Sequence, residues 1–87
     1  MKVAKFYENI ATLTEQQQIK SDCGDFTVIN VGTETCYING VALLQNQQYV
    51  AYANEYEINT TLYNLSFANT GGTRIVQVIR KIFTYAE

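Results

Sequence analysis

Apolar residues in this chain recur mainly at every second position, in short runs broken by glycine, asparagine and other turn formers. That spacing predicts strands rather than helices. The clearest stretch is Phe26–Leu44. A loop at Gly32-Thr33-Glu34 predicts one hairpin, with Asn30 opposite Cys36 and Val28 opposite Ile38. The Asn39-Gly40 pair is a strong type I′ signal and predicts a second, with Ile38 opposite Val41 and Cys36 opposite Leu43. The two registers agree, and together they predict a three-stranded sheet with one core face of Phe26, Val28, Cys36, Ile38, Val41 and Leu43, in which only Asn30 is polar. The other face carries Ile29, Val31, Tyr37, Ala42 and Leu44 beside Thr27 and Thr35. A face turned to water should be mainly polar, so this one is expected to be covered.

The remaining elements follow from the same pattern. Residues 1–20 read as an N-terminal arm or strand with a turn near Glu15–Gln18. A short helix is the alternative, because Val3, Phe6, Tyr7, Ile10 and Leu13 fall near helical spacing. Ser21–Asp25 reads as a polar loop, Tyr49–Tyr52 as a short strand and Glu55–Ile58 as extended chain. The apolar register then slips by one residue near Asn59–Thr61, where a bulge is expected, before a strand over Leu62–Ala68. Asn69–Gly72 predicts a hairpin turn into Thr73–Tyr85, the longest β-prone run. Its two faces hold Ile75, Gln77, Ile79, Lys81, Phe83 and Tyr85 on one side and Arg74, Val76, Val78, Arg80 and Ile82 on the other. Both faces are apolar in the middle, as in a central strand.

These elements predict an all-β fold: a small antiparallel β-sandwich or partly open barrel of about six to seven strands. Residues 1–20 form the arm or strand and residues 21–87 a single β-sandwich domain. At 87 residues such a domain buries roughly 60–65% of its unfolded surface, a thin stability margin. The chain has no proline, and its lysines are confined to the ends, so exposed strand edges lack two common safeguards against pairing.

Composition removes several functions. With no histidine and only two cysteines, Cys23 and Cys36, neither a metal site nor a His-based catalytic pair can be assembled in the usual way. Asp22 and Asp25 do not match a calcium loop. Glu55 and Glu57 would share a strand face about 7 Å apart, a separation near that of glycosidase carboxylates, but on a short exposed strand they read as solvated. No catalytic residue and no cofactor are expected. The two thiols read as reduced cysteines of a cytosolic protein. No apolar run is long enough to span a membrane as a helix, and the N-terminus lacks a signal-peptide core.

Charge is unevenly spread. Residues 21–73 carry Asp22, Asp25, Glu34, Glu55 and Glu57 and no Lys or Arg, whereas Lys2, Lys5, Lys20, Arg74, Arg80 and Lys81 lie towards the ends. The acidic middle disfavours nucleic acid, and the asymmetry suits contact between the ends of one subunit and the middle of another. Of the seven tyrosines, Tyr49, Tyr52 and Tyr56 cluster, as at protein interfaces or sugar-binding platforms. With Ile29, Val31, Tyr37 and Leu44 they form the candidate interface.

Over residues 26–83, the Asn39-Gly40 hairpin, Glu55–Ile58 followed by Leu62–Phe67, and the closing Ile75–Ile79 strand resemble small β-sandwich proteins of tailed bacteriophages that decorate or complete virions. The resemblance implies a structural virion protein, a capsid-decorating or head/tail auxiliary subunit. It would be assembled in the host cytoplasm as a homo-oligomer, with a trimer as the working number, and docked on other virion structural proteins. A soluble carbohydrate- or peptide-binding β module is the alternative.

Overall fold

The structure is a computed structural model that describes residues 3–55 and 57–86, with side chains for 5–55 and 57–84. It is all-β and contains eight strands: β1 (Val3–Leu13), β2 (Gln17–Lys20), β3 (Phe26–Asn30), β4 (Cys36–Ile38), β5 (Val41–Leu43), β6 (Gln48–Ala51), β7 (Leu62–Phe67) and β8 (Val76–Ala86). They form two four-stranded antiparallel sheets, in the order β1-β8-β3-β6 and β2-β7-β4-β5. The fold is a small β-sandwich.

Alternation decides which side chains go inside. The first sheet sends Phe26, Val28, Val76 and Val78 into the core, and the second sends Ile19, Ile38, Leu43, Tyr63, Leu65 and Phe67. The Phe26 and Tyr63 rings stack across the sandwich, 4.5 Å apart and 9° from parallel. Each large side chain removed from water here contributes about 1.5–3 kcal/mol.

Strand partners differ from the sequence-based expectation. β3 pairs with β6 and β8, while β4 pairs with β5 and β7. The Gly32-Thr33-Glu34 segment therefore carries the chain from one sheet to the other and is not a hairpin loop. Asn69–Gly72 does the same between β7 and β8. Among the described residues, the one hairpin between consecutive strands is β4–β5 at Asn39-Gly40, in the predicted register, with Ile38 opposite Val41 and Cys36 opposite Leu43. Both turn residues have positive φ, 47° and 84°, as a type I′ turn requires.

The predicted core row survives this change of partners because inward parity is a local property, while strand pairing is not. Phe26, Val28, Asn30, Cys36, Ile38 and Leu43 are all buried, but they face each other across the sandwich. Val41 shares the inward parity of its partner Ile38 and of Leu43, but at the start of the short edge strand β5 it is 47% exposed.

Several smaller expectations are also corrected. Gln17 and Gln18 belong to β2, so the bend lies at 14–16. Ser21–Asp25 is no loose loop. Ser21 and Cys23 are buried, Cys23 bridges Asn59, and the Ser21 hydroxyl donates to the Asn59 and Thr61 carbonyls at 2.8 Å. The expected bulge at Asn59–Thr61 is this bridge followed by the start of β7. Glu55 lies in a turn and the Glu57 amide donates to the Asn54 carbonyl at 3.0 Å; neither is in a strand, so Glu55 and Glu57 do not share a strand face.

Candidate interaction surface

The central strand β8 has a different neighbour count along its length. β1 accompanies it over eleven residue pairs, from Leu13↔Val76 to Val3↔Ala86. On its other side β3 reaches only from Asn30↔Val76 to Phe26↔Arg80. Beyond Lys81, β1 and β8 continue together as a two-stranded ribbon. The molecule accordingly measures 53 × 18 × 17 Å with a radius of gyration of 14.2 Å, against roughly 12 Å for a compact chain of this length.

Both faces of this ribbon carry apolar side chains. On the outer face of the first sheet, Phe6 is 58% and Ile10 62% exposed; on the inward-facing parity, past the cover of the second sheet, Tyr7 is 55% exposed. The Lys81 ammonium lies 4.3 Å from the Phe6 ring centre and 5.4 Å from that of Phe83, a geometry worth about 0.5–1 kcal/mol at an exposed site. Phe6, Glu8, Asp25, Thr27, Ile79 and Lys81 line a shallow groove of about 250 Å³ on the same outer face. Asp25 is held in place there by the Ala53 amide, which donates to Oδ1 at 2.8 Å.

The four edge strands are unequal. β2, β5 and β6 are four, three and four residues long, whereas β1 has eleven. Short edges offer little template for pairing, but a long edge with neither proline nor dense lysine is a ready site for strand addition.

The opposite end of the sandwich is closed by polar groups. Asn30 is fully buried; its Nδ2 donates to the Glu34 carbonyl at 2.7 Å and the Leu43 carbonyl at 2.9 Å, while Oδ1 accepts from the Gly32 amide at 3.1 Å. The buried Glu34 carboxylate accepts from the Thr70 hydroxyl, from the Thr70 amide at 2.8 Å and from the Gly72 amide at 3.1 Å. The Thr70 hydroxyl, against the opposing effect of burial and with the help of the loop amides, holds its pKa below the usual 4.5. Gly32 is required at its position, since a Cβ there would lie 2.2 Å from the Thr73 carbonyl oxygen. This cluster locks the two crossover segments, 31–35 and 68–75, to each other.

The residues singled out from the sequence are dispersed. Ile29 lies on β3 and Tyr37 on β4, in different sheets, so they point to opposite outer faces and do not form one surface. Both are half-buried, as is Val31 in the crossover, and Leu44 is exposed. Tyr49 turns inward, its ring edge-on to Tyr63 with centres 5.8 Å apart, and burial raises its pKa, with Tyr63 adding to the effect. Tyr52 is 83% exposed. These two rings therefore make no joint platform, and Tyr56 lies outside the described residues, as does the side chain of Tyr85. Cys23 and Cys36 are free and buried, and burial raises both thiol pKa values, which disfavours the reactive thiolate. Glu55 and Glu57 are exposed, and Glu57 Oε1 caps its own turn through the Asn54 amide at 2.6 Å.

The ribbon was within reach of the sequence. A central run as long as Thr73–Tyr85 can be accompanied along its whole length only by another run of similar length, and residues 3–13 are the one candidate. The polar cluster left a fainter signal: Asn30 stands alone among apolar residues on a core row, where it must find internal partners. No family model matches the chain, and neither curated proteins nor solved structures returned a significant match.

Proposed function

We propose that this chain is a structural subunit that acts by associating with copies of itself and with a larger assembly. The observation that carries the reading is the β1–β8 pair, which exposes Phe6 and Tyr7 on opposite faces of the ribbon and Ile10 beside it on the outer face, along a long open edge. An isolated two-stranded ribbon is marginal in water, and surfaces of this kind are normally covered by another chain. Charge supports a second copy as the cover. β1 and β8 carry Lys5, Arg80 and Lys81 against the single acid Glu8, while residues 21–73 hold five acidic and no basic side chains. The interface in this reading is the ribbon, in place of the scattered Ile29, Val31, Tyr37, Leu44, Tyr49, Tyr52 and Tyr56 set.

The narrower form of the proposal is a bacteriophage virion protein, capsid-decorating or head/tail auxiliary. It is supported by the resemblance over residues 26–83 and by a design that invests in surfaces. Light scattering on the purified chain tests the broader reading: a mass above that of the 9.9 kDa monomer, rising with concentration through the micromolar range, is expected. A monomer throughout that range contradicts it. Genes for portal, capsid or tail proteins beside the coding sequence are expected for the narrower form, and a neighbourhood of unrelated metabolic genes contradicts it.

A further inference from the structure

β1 is the largest pairing partner in the molecule and the element least committed to the core. It matches β8 over eleven residue pairs. Yet from Lys5 to Leu13 none of its side chains is fully buried; Leu13 alone packs against the core, from its rim. The sandwich closes around β2 to β8 without it. The strand is thus needed to satisfy the long edge of β8, but the core does not require it to come from the same chain.

The connection to β2 is short and chemically unsuited to turning. β1 ends at Leu13 in the first sheet and β2 begins at Gln17 in the second. Thr14, Glu15 and Gln16 must cross between layers that lie roughly 10 Å apart, and the four peptide steps from Leu13 to Gln17 reach at most about 14 Å. The first glycine of the chain is Gly24 and there is no proline. Every described non-glycine residue with positive φ lies elsewhere, at Asp22, Asn39, Asn46 and Asn69. Residues 3–20 consequently read as one strand-compatible run with a bend that no turn residue specifies. Short hinges of this sort favour exchange over folding back.

We infer that β1 is exchanged between copies: with residues 14–16 straightened, β1 of one chain pairs with β8 of another. The occupant is specified by the structure, because a second copy brings the same register, Glu8 opposite Lys81, Asn9 opposite Arg80 and Ile10 opposite Ile79. The inference rests on the self-association reading and adds a strand-exchange link between copies, in which the β1–β8 ribbon keeps the exposed faces proposed above as the contact. Exchange is reciprocal in a dimer and cyclic in a three-membered ring.

A disulfide across the β1–β8 ladder tests it. Thr12 and Gln77 are register partners on the outer face, and antiparallel partners have Cα atoms about 4.5–5.5 Å apart, within disulfide range. The double variant Thr12→Cys/Gln77→Cys is oxidised with diamide, denatured in excess N-ethylmaleimide to block the buried native thiols, and run without reductant beside light scattering of the same sample. Exchange predicts that most of the protein runs at two or three times 9.9 kDa. An internally linked monomer from a sample that scatters as an oligomer overturns exchange and leaves self-association standing. An internally linked monomer from a monomeric sample overturns both. A second variant, with Asn-Gly inserted between Glu15 and Gln16, gives the hinge a turn of its own and is expected to weaken association at least tenfold; unchanged association overturns the exchange.

Discussion

Where Leu13, Val76 and Asn30 lie side by side, the sandwich ends in a closed polar cluster: the Asn30 amide is held by the Gly32, Glu34 and Leu43 backbone, and the Glu34 carboxylate by Thr70 and Gly72 of the facing crossover. Six or seven residues further along the same two strands, β1 and β8 run out as a ribbon with Phe6 and Tyr7 in water. One end has its polar groups satisfied within the chain. The other leaves apolar area and strand edge unsatisfied. Stability and association are thus assigned to different ends of one sheet, and substitutions at each should move different observables.

The largest effect is expected at the closed end. Asn30→Leu takes the Nδ2 donor from the Glu34 and Leu43 carbonyls, while the Gly32 amide keeps the Ile75 carbonyl at 3.0 Å. Unsatisfied buried groups cost about 1–3 kcal/mol each, so urea unfolding should show a loss of about 3–5 kcal/mol, a large part of the margin of a domain this size. Gly32→Ala should cost about 2–3 kcal/mol in the same assay, because its Cβ has no room against the Thr73 carbonyl.

Acid should loosen the same end. The folded-state pKa of Glu34 is held below its unfolded value near 4.5. Its contribution is therefore complete above pH 4.5 and is lost as pH falls through the lower folded value. The urea midpoint should drop below pH 4.5 in the natural chain and show a shallower drop in Glu34→Gln. At the open end, Ile10→Lys should change monomer stability by less than about 0.5 kcal/mol, as for an exposed position, while reducing the scattering mass towards that of a monomer. An Ile10→Lys chain that unfolds more easily but still associates would break the comparison.

The same division explains what could be read from the chain. Alternation placed Phe26, Val28, Cys36, Ile38 and Leu43 inside, and the Asn39-Gly40 turn set the β4–β5 register, because both depend on neighbours a few residues away. Strand partners depend on where the whole chain returns. Six of the seven connections between successive strands cross from one sheet to the other, so turn signals at Gly32–Glu34 and Asn69–Gly72 marked direction changes without marking hairpins. The single apolar second face built on Ile29 and Tyr37 dissolved for that reason. Glu34 was illegible because nothing local distinguishes a loop carboxylate that will be wrapped by Thr70 and Gly72, thirty-six and thirty-eight residues away, from one in solvent.

Amide hydrogen exchange measured at two protein concentrations, dilute and tens of micromolar, tests the division most directly. Amides of β1 and of residues 82–86 are expected to gain protection with concentration, while those of Gly32, Glu34, Thr70 and Gly72 are protected equally in both. Protection of β1 and residues 82–86 that is independent of concentration, or a gain confined to the edges of β5 and β6, would contradict it.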